Sequence, residues 1–186
     1  MTNQEAIELI DGGANGEHAQ YWLDLGCGTG TFTEALATML PAYSKIIGVD
    51  KNTQQLPPQM GNQVSIKFIE ADFGTEALEM AGLDGILMAN SLHFIRDKES
   101  LIRRLENLFS KGRRFLIVEY DTTASNRWVP YPIDFKGLKS LFDRIGTYTI
   151  SKLGERRSLY GSAMLYGALI TSPAQSISPS QTTSRK

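Results

Sequence analysis

The chain has 186 residues, 41% hydrophobic and 21% charged, and its 19 Lys+Arg against 20 Asp+Glu give a formal net charge of −1; one globular domain fits this length and composition, with little room for a second. No apolar run approaches the ~18–20 residues that cross a bilayer, and the opening Met-Thr-Asn-Gln-Glu-Ala lacks the basic start and apolar stretch of a secretory signal, so no membrane partner and a cytoplasmic location are expected. A single cysteine, Cys27, and two histidines exclude an internal disulfide and a Cys/His zinc site of the usual kind, and no metal is expected.

In chain order, residues 2–10 have the spacing of one short amphipathic helix. Five short, nearly continuously apolar runs then read as strands covered on both faces: 21–25 (YWLDL), 45–50 (KIIGVD), 64–70 (VSIKFIE), 84–89 (DGILMA) and 115–120 (FLIVEY). Between them, residues 31–40 carry Phe32, Ala35, Leu36 and Met39 at helical spacing and stop at Pro41. Residues 98–109 repeat the pattern with Leu101, Ile102, Leu105 and Leu108. The other linkers are less regular: Pro57-Pro58 cuts one candidate helix short, and residues 74–81 leave room for about two turns. Residues 121–132 read as an ordered surface loop, 134–145 as a helix, and 147–153 with 162–171 as two strands close enough in sequence to pair antiparallel. Residues 173–186 are Ser, Thr, Gln and Pro with almost no apolar side chains, and read as a disordered tail after a domain spanning 1–172. This alternation predicts an α/β fold with a mostly parallel sheet.

The segment most informative about function is residues 21–32, where a strand runs into Gly26, Gly28 and Gly30 and a helix opens. Glycines let a backbone turn tightly and approach a ligand at a helix N-terminus, beside the carboxyl end of a parallel strand. Asp50 ends the next strand, and its carboxylate can accept both hydroxyl protons of a ribose. A dinucleotide loop requires Gly-x-Gly-x-x-Gly, but the third glycine positions are Thr31 and Thr33 in the two registers, and no Lys precedes Lys45 to complete a phosphate-cradling loop.

The run Leu-Asp-Leu-Gly-Cys-Gly-Thr-Gly instead resembles motif I of the class I S-adenosylmethionine-dependent methyltransferases. The resemblance implies a Rossmann-like fold with a seven-stranded, mostly parallel sheet in the order 3-2-1-4-5-7-6, the seventh strand antiparallel, and helices on both faces. It implies S-adenosyl-L-methionine as cofactor, with Asp24, Gly26, Cys27 and Gly28 around its methionine part, Asp50 on the ribose and Lys51 beside the adenine. Asp72 and Phe73 match the segment that meets the adenine, and Asn90 matches the loop after the fourth strand, on the methionine and substrate side. All these residues fall at carboxyl ends of successive strands, the rim where ligands bind in such sheets.

The fourth-strand loop reads Asn90-Ser91-Leu92-His93, which departs from the Asn/Asp-Pro-Pro-Tyr/Phe run of base-methylating relatives and counts against a DNA base as acceptor; the resemblance to the family's small-molecule branch implies a small-molecule acceptor with an O, N or C nucleophile. His93 stands on the expected rim as a candidate general base, against the reading of a packed loop histidine. Cys27 has no base nearby in sequence to make it a nucleophile. For the acceptor, Tyr120, Arg127, Trp128 and Tyr131 mix aromatic and polar groups after a strand at the same rim, against the reading of a cap over the core.

Charge is distributed unevenly, with three Lys and twelve acids in residues 1–95 and sixteen bases and eight acids in 96–186. Arg103, Arg104, Lys111, Arg113 and Arg114 are expected at the rim opposite the cofactor, as a solvated face, and Arg156 and Arg157 keep an anionic acceptor open. The short N-terminal segment leaves closure of the pocket to loop 121–132, to a large acceptor or to a lid supplied by a partner. Two other readings stand beside a self-sufficient enzyme: a non-catalytic or partner-dependent binding subunit, and an RNA methyltransferase. The sequence leaves the oligomeric state open.

Overall fold

The computed structural model describes residues 1–60, 63–158 and 163–173. The expected tail beyond residue 173 lies outside them. The apolar runs become β1 (Tyr21–Leu25), β2 (Lys45–Asp50), β4 (Val64–Glu70), β5 (Gly85–Ala89) and β6 (Arg114–Tyr120), all mutually parallel in the order β4-β2-β1-β5-β6. β8 (Met164–Thr171) runs antiparallel beside β6 and pairs with the edge strand β7 (Thr149–Arg157). The two-residue β3 (Gln59–Met60) adds an antiparallel edge to β4. The sheet therefore has eight strands among the described residues rather than seven. With β3 set aside, the order is the expected one.

Burial on both faces explains why these strands are so apolar. Trp22, Ile46, Leu116 and Val118 pack with α1 (Asn3–Ile10) and α2 (Thr31–Met39), while Leu23, Leu25, Ile86, Met88, Phe115 and Ile117 pack with α3 (Lys98–Leu105) and α4 (Phe135–Ile145). Each large apolar side chain so removed from water contributes about 1.5–3 kcal/mol. The helix ends follow local chemistry. Thr2 and Glu5 form a capping box on α1, the Asp97 carboxylate accepts the Ser100 N–H on α3 and the Asp134 carboxylate accepts the Gly137 N–H on α4.

The sheet departs from expectation in its linkers. No helix forms at residues 51–58 or 74–81; the first run ends in Pro58, whose carbonyl accepts the Ile66 N–H as the chain turns into β3. Pro cannot supply the N–H a helix interior needs, which favours this extended edge. The expected helix over 98–109 stops at Leu105 and finishes as a 3₁₀ turn, Glu106–Leu108. β7 begins and ends later than the expected 147–153. The first two residues of the expected last strand, 162–163, precede β8, and 162 lies outside the described residues.

Candidate active site

Strand order reverses between β1 and β5: the chain leaves β1 toward β2 on one side and later returns to β5 on the other. A crevice opens at the carboxyl ends of strands at such a point. The glycine loop lies there. Gly26 has φ 76°, and a Cβ on it would stand 2.5 Å from the Ser91 Cβ, so only glycine lets the loop after β1 close on the loop after β5. Gly28 has φ 50° and nothing within 4 Å of where its Cβ would be, so its side of the turn is open.

The loop is clamped to β2. The N–H groups of Gly26 and Cys27 both donate to the Val49 carbonyl, at 2.8 and 3.0 Å, and the Gly28 N–H donates to Asp50 Oδ2 at 3.0 Å. Asp50 Oδ1 accepts the Asn52 N–H at 2.9 Å. The Asn52 side-chain amide also donates to Oδ1, at 3.4 Å, which leaves Oδ2 with the lone pair open to a further donor. Lys51 follows it, exposed, in the same turn.

Behind the loop, Asp24 is 1% exposed. Its Oδ2 accepts the Thr33 hydroxyl at 2.6 Å, while Oδ1 is buried without a hydrogen-bond partner among the described residues. Burial, above all, with the Asp50 charge adding and the Thr33 bond opposing, pushes its carboxyl up to about 7. The same burial, with the charges of Asp24 and Asp50, pushes the Cys27 thiol up to about 12. Cys27 is a thiol packed in the loop, which removes the nucleophile reading.

After β4, Asp72 Oδ1 accepts the Gly74 N–H at 2.9 Å, and the backbone N–H of Asp72 donates to Glu76 at 2.7 Å. Phe73 is 9% exposed and packs with the α3 side of the core. After β5, Asn90 sits at φ 54°, its N–H donating to the Val118 carbonyl at 2.8 Å. Its Oδ1 is the second buried acceptor without a partner among the described residues. Ser91 ties this loop to β1 through its hydroxyl on the Leu25 carbonyl at 2.6 Å.

His93 is 3% exposed, in the turn after Asn90. Its backbone N–H donates to Glu119 Oε1 at 3.0 Å and its Nδ1 lies 2.7 Å from Glu119 Oε2. The loop after β6 is built over this turn. The Tyr131 N–H donates to the His93 carbonyl at 3.0 Å, and Lys98 Nζ donates to the carbonyls of Ile95 and Tyr131 at 2.8 and 2.7 Å. Asn126 Oδ1 accepts the N–H groups of Trp128 and Val129. Val129 turns inward, 7% exposed, while Trp128 is 76% exposed, Tyr131 is 41% exposed and Arg127 is also exposed. Tyr120, half-buried at the end of β6, has its ring 6.1 Å from that of His93.

The basic cluster needs one correction. Arg104 does not lie at the opposite rim: its guanidinium donates to the Phe73 carbonyl and lines a groove of about 330 Å³ with Asp72 and Phe94. A long side chain on α3 reaches across the helix-free linker after β4, which a count of positions along the helix does not anticipate. Arg103 pairs with Glu99 at 2.9 Å, Arg113 pairs with Glu106 at 3.4 Å, and Arg114 donates to the Asn15 carbonyl. Arg156 pairs with Glu5 of α1 at 2.7 Å.

Thr33, Ser91, Lys98 and Glu119 escaped the sequence reading. Glu119 did carry a signal, since an acid inside an apolar strand must find a partner.

The comparisons with known proteins agree with this fold. A family profile described as a methyltransferase domain matches residues 17–145. An uncharacterised methyltransferase of Mycobacterium tuberculosis strain H37Rv is 29% identical over 102 residues, 55% of this chain and 51% of that protein. A trans-aconitate 2-methyltransferase of Paracidovorax citrulli is 34% identical over 95 residues, 50% of this chain and 36% of that protein. The matches thus span about half, or less, of these relatives' length. The crystal structure of a SAM-dependent methyltransferase from Aquifex aeolicus shares the fold, with TM-score 0.60 over 92% of this chain and 98% of that one, at 14% identity.

Proposed function

Because the chain belongs to the methyltransferase-domain family, whose profile covers residues 17–145, we propose that it binds S-adenosylmethionine at the carboxyl rim of the sheet and transfers its methyl group to a small-molecule nucleophile. The observation that carries this reading is the pair of buried oxygens without hydrogen-bond partners among the described residues, Asp24 Oδ1 and Asn90 Oδ1, on either side of the clamped glycine loop. Buried acceptors without partners are costly. Their cost is offset when a ligand rich in donors occupies the crevice. The ammonium of the cofactor's methionine part and the hydroxyls of its ribose are such donors, and Asp50 Oδ2 retains a lone pair for the second. Residues 1–172 constitute the domain that does this. Asp24, Gly26, Cys27 and Gly28 surround the methionine part, Asp50 and Lys51 the nucleoside, Asp72 and Phe73 the adenine, and Asn90 the reacting end.

When bound, the cofactor supplies a methyl carbon attached to a sulfonium, already a strong electrophile. The protein's part is mainly alignment of the acceptor. Tyr120 at the end of β6 and Arg127, Trp128 and Tyr131 on the following loop, held in place by Asn126 and Lys98, line the approach. Arg103, Arg104, Arg113 and Arg114 are engaged within the molecule, by Glu99, Glu106 and backbone carbonyls. That supports a small acceptor over RNA, which needs cations free to meet phosphates.

Calorimetric titration of the full chain with S-adenosylmethionine and with S-adenosylhomocysteine tests the reading. Saturable binding is expected with both, weakened at least tenfold in Asp50→Ala, since losing a charged hydrogen-bond partner costs about 1.5–3 kcal/mol. A folded wild type that binds neither, or a variant that binds as the wild type does, overturns it.

A further inference from the structure

Glu119 is the one acid in the run Phe-Leu-Ile-Val-Glu-Tyr, and it is 0% exposed. A carboxylate inside a sheet persists only when its oxygens are satisfied. Both are satisfied by one residue: Oε1 by the His93 backbone N–H, Oε2 by His93 Nδ1 at 2.7 Å. A carboxylate only accepts, so Nδ1 carries the hydrogen, and in the neutral ring Nε2 keeps the lone pair. Two contacts to one histidine fix its backbone and its ring together, three residues after Asn90.

The groups facing the pair come from each neighbouring element. The Phe94 ring lies 4.3 Å and the Tyr120 ring 6.1 Å from that of His93. Lys98, held on two carbonyls, feels the Glu119 charge, as does the Tyr166 phenol of β8, near which Asp121 and Asp134 also lie. A pair that served only to fill the core would be replaced at less cost by apolar side chains.

We propose that Glu119 is a positioning residue that presents His93 Nε2 to take a proton from an acceptor arriving in protonated form, a hydroxyl or an N–H; the inference rests on the methyl-transfer reading above. The acceptor's O–H or N–H bond breaks, its proton going to Nε2. The freed electron pair forms the bond to the methyl carbon, and the carbon–sulfur pair stays on sulfur, leaving the neutral thioether. A carboxylate acceptor, already ionised, has no use for this base.

Histidine-selective ¹⁵N NMR on the full chain tests the proposal, with His18→Gln to assign the second histidine. In the S-adenosylhomocysteine complex the neutral His93 ring is expected with hydrogen on Nδ1. In Glu119→Gln a single oxygen faces two donors and the amide NH₂ faces Nδ1, so the hydrogen is expected on Nε2. Hydrogen on Nε2 in the wild type overturns the proposal, and needs no variant to fold. The second measurement separates a base from a core pair. At the pH where half of His93 is doubly protonated with S-adenosylhomocysteine bound, exchange for S-adenosylmethionine adds a positive sulfur. If Nε2 lies ~6 Å from it, the ratio of doubly protonated to neutral ring falls about threefold even at the dielectric of water. An unchanged ratio places Nε2 away from the methyl donor and overturns the proposal. Failure of both cofactors to bind overturns the methyl-transfer reading instead, and the tautomer still reports on Glu119 by itself.

Discussion

The two rims of the sheet are built from the same strands and treat their polar groups in opposite ways. At the amino rim the donors and acceptors of the loops are closed on one another: the Gln20 N–H donates to the Ser44 hydroxyl, that hydroxyl to the Pro41 carbonyl, the Tyr21 N–H to Asp84 and the Trp22 indole to Gln20. At the carboxyl rim two oxygens are buried without partners among the described residues, and the buried acids Asp24 and Glu119 stand at or near the strand ends. The amino rim stabilises the fold. On the proposed reading, the carboxyl rim gives up stability so that a ligand can complete it.

The largest effect that would sharpen this contrast is at Asp24. Its carboxyl, pushed up to about 7 by burial, holds a proton in the folded protein that the unfolded chain has released near 4. Folded Asp24 therefore binds more protons than unfolded Asp24 between those values, and its contribution to wild-type stability falls as pH rises from about 4 through about 7, by ~4 kcal/mol. Asp24→Asn has no such proton to lose. Denaturant titrations at pH 4.5 and pH 8 are expected to show the variant gaining about 3–4 kcal/mol on the wild type over that interval, while its affinity for S-adenosylhomocysteine falls about tenfold. Parallel stability curves for the two proteins would mean that Asp24 is ionised at no cost, and that the carboxyl rim is not strained.

At the amino rim the opposite pattern is expected. Ser44 is fully buried and its hydroxyl both accepts and donates. Ser44→Ala leaves the Gln20 N–H and the Pro41 carbonyl without it, a cost of ~2 kcal/mol in unfolding free energy. Cofactor affinity should remain within about twofold of wild type. A loss of affinity comparable to that of Asp50→Ala would show that the two rims are not independent.

How much of this was legible in the sequence depended on whether the signal was local. The strands were, because a run such as Lys45–Asp50 covered on both faces can hold little but apolar residues. Gly26, Gly28 and Asp50 were, because a turn, an open approach and a strand-end carboxylate each demand a residue type at a fixed spacing. The helix-free linkers were not: whether residues 74–81 form two turns is decided by packing, and there Arg104 reaches the Phe73 carbonyl from α3. The His93–Glu119 pair was not either, since its halves are 26 residues apart and meet only when β5 and β6 pair. His93 alone read as base or as packing.

The smallest effect concerns the loop after β6, where the sequence left a cap over the core and an acceptor contact equally open. Its residues divide the two tasks between them: Val129 is buried, and Trp128 beside it is 76% exposed. An exposed side chain contributes little to folding, so Trp128→Ala is expected to change unfolding free energy by less than about 0.5 kcal/mol. The only other tryptophan, Trp22, is fully buried. Iodide quenching of the protein's fluorescence should therefore report on Trp128 alone and vanish in the variant. With S-adenosylhomocysteine bound, a small molecule that shields this fluorescence from iodide is a candidate acceptor. If Trp128→Ala instead lowers stability by more than about 1 kcal/mol, the tryptophan is a structural cap and the acceptor must enter elsewhere on the rim.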